Sequence, residues 1–436
     1  MTATFPRAIT MSSLKRRTLL LGSLTAAALP APAVMAQGLI TLDVQFPFPG
    51  GNNKEIHQGI ADRFMKANPD IRITFRNPAQ QYEDASQQIL RASLVNQMPD
   101  LSFQGLNLLR VLVDKELARP LATFIARDGG ADALGYAPAV MDTVRQRGDI
   151  YGVPFFISTP VIYLNETLLR EAGGNIETFP HGWPEIVALG KRIGDKAQNR
   201  TGFYFQWDVT GNWMWQALLF GRGGRILSDD ERRIAFDGPE GLWALEQFEQ
   251  FAHAGMPNLR QAQSRPAFAA GTLGIHADSS SNIAFAEKQA GDKFKMRVLP
   301  FPLGAPNGRV PAGGALGVVH AADPRRQEAA WRYLRFCTNP ESQAFMVRLT
   351  GYMPSNTRAI ADPELLGRFY QENPNQKASV DQLGRMTGWY AFPGANAVRI
   401  IDVIRNHMES VVTGRRTARA VLPDMANDVQ RLLPSA

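Results

Sequence analysis

Cysteine is almost absent from these 436 residues: Cys337 stands alone, so no disulfide can form within the chain. Its neighbours, Trp331-Arg332-Tyr333-Leu334-Arg335-Phe336, read as a buried helix face, which makes the thiol a packing group rather than a nucleophile. The six histidines (57, 181, 253, 276, 320 and 407) lie far apart. Neither a His-Glu-x-x-His nor a Gly-x-Ser-x-Gly motif occurs, so two common hydrolase signatures are missing. No Lys/Arg run alternates with aromatics, which argues against a nucleic-acid partner. The sequence holds no internal repeat and no long low-complexity linker. The apolar run from Leu19 to Leu29 is about half as long as a membrane span, so it is not expected to cross one.

That run has another reading. Lys15-Arg16-Arg17 precedes it, and small residues ending Val34-Met35-Ala36-Gln37 follow it. A basic start, a short apolar middle and a small-residue cleavage site make an export signal over residues 1–36. The paired arginines before Thr18-Leu19-Leu20 look like a twin-arginine signal. The mature protein is then expected in the periplasm. The formal charge of the chain is +7, and the signal carries four basic residues (Arg7, Lys15, Arg16, Arg17) and no acidic one. Its removal leaves 7 − 4 = +3, so the high positive charge says little about partners.

The remainder is long enough for two lobes. It opens with a strand at Ile40–Phe46, then a glycine-rich turn, Pro49-Gly50-Gly51-Asn52-Asn53. Ile56, Ile60 and Phe64 recur every fourth residue and give a helix one apolar face. Asn68-Pro69 stops it, and Ile71–Phe75 alternates as a strand. This strand–helix–strand unit is the building block of a parallel sheet. A helix over 82–96 and a short strand at 101–103 follow. Strands flank Ser158-Thr159, Asn165 caps the helix after it, and Gly173-Gly174 ends that helix. Further strands fall at 273–277 and 317–320, and from Pro324 the chain reads mostly helical. The expected fold class is α/β with two lobes joined by several short crossings near 149–158, 277–282 and 320–331. Residues 37–149 with 279–331 would form one lobe, and 150–278 with 332–436 the other.

Several segments carry a family resemblance: Phe64-Met65-Lys66-Ala67-Asn68-Pro69, Tyr151-Gly152-Val153-Pro154, Ser158 to Asn165, Phe268 to Gly274, Gly313 to Val318, Ala330 to Phe336, and Thr350-Gly351-Tyr352-Met353-Pro354. In this order and spacing they resemble the family 1 extracellular solute-binding proteins of bacterial ABC importers. Ser158 to Tyr163, Leu349 to Pro354 and Met408 to Gly414 are most similar to the glycerol-3-phosphate-binding type. The resemblance implies a type II-like periplasmic binding protein that closes over a small-molecule solute in a cleft between its lobes and docks on an inner-membrane ABC permease. It implies no catalysis and no cofactor. A chemoreceptor would use the same cleft, and a monomer is expected. The rival class is a secreted hydrolase acting on a small carbohydrate or phosphate ester. Two departures from the phosphate-binding members stand out. Their acidic loop after the first strand is Phe48-Pro49-Gly50-Gly51-Asn52-Asn53 here, and their late-helix arginine falls on Ile401, with Arg399 two residues away. Either Arg399 grips a phosphate from a shifted register, or the solute is a sugar, polyol or glycerophosphodiester.

Such a solute needs hydrogen bonds to hydroxyls and an aromatic face for its C–H surface. Tyr82 and Ser158 occupy matching positions. Trp207, Trp213 and Trp215 form the densest aromatic cluster, and Trp213 best matches the family's stacking tryptophan. Residues 213 and 215 cannot share a helix face, so at most one of them points at a cleft. Gly313-Gly314 would bring backbone N–H groups close to ligand oxygens. Tyr352 lies in a Gly-Tyr-x-Pro loop that the family uses at the cleft. Asp278 and Ser279 follow a buried strand, where α/β sheets present ligand contacts. Arg399 completes the expected set as its cation.

Overall fold

The computed structural model describes residues 38–48 and 52–434, so the expected export signal and most of the glycine-rich turn lie outside the described residues. Nine strands make two sheets. They are β1 (Ile40–Gln45), β2 (Ile71–Phe75), β3 (Leu101–Gly105), β4 (Val153–Ser158), β5 (Pro160–Asn165), β6 (Thr201–Phe205), β7 (Leu273–Ser279), β8 (Met296–Pro300) and β9 (Gly313–Val319). The first sheet runs β2-β1-β3-β9-β4 and the second β8-β5-β7-β6.

Helix Asn53–Ala67 links β1 to β2, which pair in parallel from Ile40↔Ile71 to Val44↔Phe75. Its buried face carries Ile56, Ile60 and Phe64, and Phe64 meets Tyr333 of helix Pro324–Cys337 edge to face at 5.0 Å. Burial of Cys337 in that helix pushes its thiol pKa up, as a packed and unreactive sulfur requires. In the second lobe the Asn165 side chain accepts from the amides of Thr167 and Leu168, both at 3.1 Å, and so starts helix Glu166–Glu171. Trp183, Phe203, Phe205, Phe251 and Phe301 fill the core under the second sheet.

The chain passes from the first sheet to the second between Ser158 and Pro160. It returns between Pro311 and Gly313 and leaves again between Arg348 and Pro374. These positions correct the expected lobe boundaries. Strand β8 pairs antiparallel with β5, which holds residues 296–300 in the second lobe. Helices Pro324–Cys337 and Pro340–Arg348 both pack on helix Asn53–Ala67 and belong to the first. Strand β4 pairs with β9 in the first sheet, so the second lobe does not begin at residue 150.

Strand direction places the candidate site. The C-terminal ends of β1, β3 and β4 and the N-terminal end of β9 meet one edge of the first sheet. The C-terminal ends of β6 and β7 and the start of β5 share one edge of the second. In open α/β sheets ligands bind beyond the carboxyl ends of the strands.

Candidate functional site

Tyr82 opens helix Tyr82–Leu94 and is buried; its ring stands edge-on to Phe48 at 4.8 Å and to Trp389 at 6.4 Å. Burial pushes its phenol well above the usual value, and the neighbouring Tyr352 hydroxyl adds to the shift. Tyr352 stacks on Phe156 with ring centroids 4.7 Å apart. Ser158 ends β4 opposite Gly313 of β9. A Cβ on Gly313 would fall 2.8 Å from both Ser158 Oγ and the Trp213 ring, so only glycine lets that indole lie against the strand. Trp213 opens helix Trp213–Gly221 and donates from Nε1 to the Ala312 carbonyl at 3.2 Å. Trp215, two residues on, turns instead to Phe236 in the second-lobe core, at 5.3 Å. Gly314 has φ +113°, and a Cβ there would sit 2.1 Å from the Phe156 carbonyl oxygen.

Tyr82, Ser158, Trp213, Gly313, Gly314 and Tyr352 thus gather at the seam between the lobes. Three other sequence-derived candidates do not add free groups to it. Asp278 is fully buried and accepts from Arg265 Nε at 2.7 Å and Nη2 at 3.3 Å. Burial opposes its ionisation, but Arg265 and a 2.7 Å bond from the Ser279 amide hold its carboxyl below the usual range. Ser279 Oγ caps a helical turn by accepting from the Ser281 amide at 3.2 Å. Arg399 is exposed on helix Ala397–Val412, whose inward residues are Ile400, Ile404, Met408 and Val411. That helix buries its apolar stripe and turns Arg399 to solvent.

The structure adds residues that carried no sequence signal. Asn107, just past β3, is only 5% exposed, and neither its amide nitrogen nor its oxygen has a partner. A Cβ on Gly105 would lie 2.8 Å from Asn107 Oδ1 and 2.9 Å from Tyr82. One on Gly211 would lie 2.7 Å from Asn107 Nδ2 and 2.8 Å from the Trp389 ring. The Asn107 amide therefore sits between the lobes, walled by two aromatics. Glu83 follows Tyr82 on the same helix: the Thr210 hydroxyl donates to Oε1, while buried Oε2 has no partner. An unpaired buried polar group costs about 1–3 kcal/mol. Asn107 and Glu83 thus leave polar atoms at this seam that a bound molecule can partner.

Trp389 is held by its neighbours. The Tyr390 amide donates to Gln216 Oε1 at 3.0 Å, and Gln216 Nε2 donates to the Tyr390 carbonyl at 3.3 Å. This pins an irregular segment to the Trp213 helix and sets Trp389 6.0 Å from Trp213. Trp389 also lines a cavity of about 620 Å³. The first lobe lines it with Arg110, Asp142, Thr143 and Gln146, and the second with residues of 220–231, 307–309 and 387–391. Arg110 grips Glu231 across the gap with two bonds of 2.6 Å, and the Tyr390 hydroxyl donates to the same carboxylate at 3.0 Å. Arg110 holds the Glu231 carboxyl below its usual range. Among the described residues no group of three His, Cys, Asp or Glu is placed to hold a metal ion.

Residues 59–378 match the family described as bacterial extracellular solute-binding protein. The sn-glycerol-3-phosphate-binding periplasmic protein UgpB of Salmonella typhimurium is 23% identical over 417 residues, 91% of this chain and 93% of that one. UgpB of Rhizobium meliloti is 23% identical over 322 residues, 70% of this chain and 73% of that one. Among solved structures, UgpB from Mycobacterium tuberculosis in complex with glycerophosphocholine superposes with a TM-score of 0.79 at 20% identity, covering 91% of this chain and 98% of that chain. The sugar-binding protein MalE from Xanthomonas citri gives 0.76 at 22% identity, covering 90% and 97%. These structural likenesses establish the two-lobed fold. With the family match spanning most of its length, the chain belongs to the bacterial extracellular solute-binding proteins.

Proposed function

We propose that this protein is the periplasmic substrate-binding component of an ABC importer and that it captures a small hydroxyl-rich solute at the lobe seam. The observation that carries this reading is the Asn107 amide, buried and without partners between Tyr82 and Trp389, with Trp213 6.0 Å beyond Trp389. A vicinal pair of hydroxyls offers a donor and an acceptor together, which is what one amide and the free Glu83 oxygen lack. Aromatic faces beside them suit the C–H surface of a sugar or polyol.

The charge at the seam bears on the choice of solute. Arg399 is turned to solvent, and Arg265 is already neutralised by Asp278. A phosphate monoester at Asn107 would meet the Glu83 carboxylate there, and Arg309 stands exposed on the rim of the neighbouring cavity. The Glu83 carboxylate favours an uncharged sugar or polyol over glycerol-3-phosphate, the solute named for the UgpB relatives. A solute touching both Asn107 of the first lobe and Trp213 of the second stabilises the closed arrangement, which a membrane permease would then recognise. The hydrolase alternative gains no support from relatives that are binding proteins.

A thermal-shift panel of sugars, polyols, glycerol-3-phosphate and glycerophosphodiesters tests this reading, since a bound solute raises the melting temperature. Trp213→Ala should weaken binding of the responding solute by about 1–3 kcal/mol and leave the protein folded. A panel with no response, or an unchanged affinity in that variant, contradicts it.

A further inference from the structure

The first lobe holds a cavity of its own, about 390 Å³ in volume, away from the seam. It lies where helices Asn53–Ala67 and Pro324–Cys337 meet the chain around Leu134 and Asn356. The Asn356 amide donates to the carbonyls of Leu134 and Thr338, both at 3.0 Å, which ties that wall to the first lobe. The floor is apolar: Phe64, Leu134, Tyr136, Phe336 and Pro340. Phe64 meets Phe336 edge to face at 5.5 Å, and the Tyr136 hydroxyl is already bonded to Thr338 at 2.5 Å. The floor therefore presents hydrocarbon and asks for no polar partner.

The mouth carries charge of one sign. Arg332, Arg335 and Arg358 line the cavity, and no carboxylate does. Asp70 takes up Arg332 with bonds of 2.7 and 3.2 Å. Arg335 gives only Nη1 to Asp128, at 2.8 Å, and its other N–H groups meet no acceptor among the described residues. Arg358 is exposed, donates to the Asp132 carbonyl at 3.3 Å and pairs with no carboxylate among the described residues. One positive charge is thus in excess beside an apolar floor. That combination complements a molecule with one anionic end and a hydrocarbon body. We infer that this cavity is a second ligand site, independent of the seam, for a small amphipathic monocarboxylate with an aryl or short alkyl body. Its carboxylate accepts from Arg358 and the free N–H groups of Arg335, and its body lies on Phe336, Leu134 and Pro340. Small-molecule pockets run from roughly 300 to 1,000 Å³, so this volume suits one ring or a short chain. The second lobe contributes nothing to the lining, so an occupant here does not depend on lobe closure.

Calorimetric titration of the purified protein with benzoate, hexanoate, benzyl alcohol, hexanol and inorganic phosphate tests the inference. At least one carboxylate should bind tenfold or more tighter than its own alcohol and than phosphate. Arg358→Glu reverses the charge at an exposed position, and Ala133→Trp fills the cavity from another exposed position. Each should weaken that carboxylate at least tenfold and leave the melting temperature of the free protein unchanged. An alcohol or phosphate that binds as tightly as both carboxylates overturns the inference. So does carboxylate binding that survives both substitutions, or a failure of both carboxylates to bind. Solute capture at the seam stands or falls separately from each of these outcomes.

Discussion

Asn107 shows how a binding residue differs from a stabilising one. Its amide has no partner in the folded chain, so removing it relieves a penalty of about 1–3 kcal/mol. Asn107→Leu should therefore raise the denaturation midpoint while weakening solute binding at least tenfold. Urea unfolding and titration of the same variant check both halves; a variant that loses stability would make Asn107 an ordinary core residue. The sequence offered no route to it, because a lone asparagine after a strand is indistinguishable from a turn residue. Trp213 was legible, since three tryptophans within nine residues demanded an explanation and helical spacing allowed only one at the seam. Arg399 was misleading for a related reason. Spacing along a helix gives neighbours, but the face is set by Ile400 and Ile404, which take the core.

His57 carries a second prediction at this scale. It lies against Phe46 at 4.3 Å and Phe103 at 4.6 Å, with Nε2 unpartnered, and burial lowers its pKa to about 3. The unfolded chain takes up its proton near pH 6.5, so the unfolded state binds more protons and stability falls as pH drops from about 6.5 toward 3. At about 1.4 kcal/mol per pH unit, the loss by pH 4 is ~3 kcal/mol for this group. His276 and His320, each lowered to about 4 by burial, act in the same direction. His57→Phe should flatten the fall in stability between pH 6.5 and 4 by about one proton's worth. Equal pH slopes in the variant and the parent would contradict the assignment.

At the scale of elements, strand–helix–strand units were readable because apolar period and stop signals agree: Ile56, Ile60 and Phe64 mark the helix, and Asn68-Pro69 ends it. Lobe membership was not, because it depends on which sheet edge a strand joins. Nothing in Met296–Pro300 announces that it will pair with β5 rather than return to the first sheet. Trp389 was missed for the same kind of reason: its segment has no period and is fixed by Gln216 from another element. Strand β9 yields a prediction here. Gly314 combines φ +113° with a Cβ position 2.1 Å from the Phe156 carbonyl oxygen, so Gly314→Ala should force β9 away from β4. We expect a loss above about 3 kcal/mol, in the range reserved for backbone strain with steric conflict. Chemical denaturation that finds less than about 1 kcal/mol would show that the strand pair yields easily.

For the whole molecule, the lobes meet through Glu83–Thr210, Trp389 against Tyr82, and the Arg110–Glu231 pair. The last is partly exposed, with 21% and 34% of the two side chains open to solvent, so it adds little to folding stability. Its effect belongs to the balance between open and closed arrangements. Arg110→Met should weaken solute binding about three- to tenfold, chiefly through faster release, with only a small change in melting temperature. Affinity that is unchanged would mean that closure does not draw on this pair.

Hydrogen exchange by mass spectrometry, with and without the solute that gives the largest thermal shift, tests most directly that a solute is held at the seam between the lobes. Binding should protect residues 82–86 and 105–110 of the first lobe together with 209–216 and 386–391 of the second. Protection confined to one lobe, such as around Asn68, Arg332 and Asn339 where a separate cavity of about 390 Å³ lies, would contradict it.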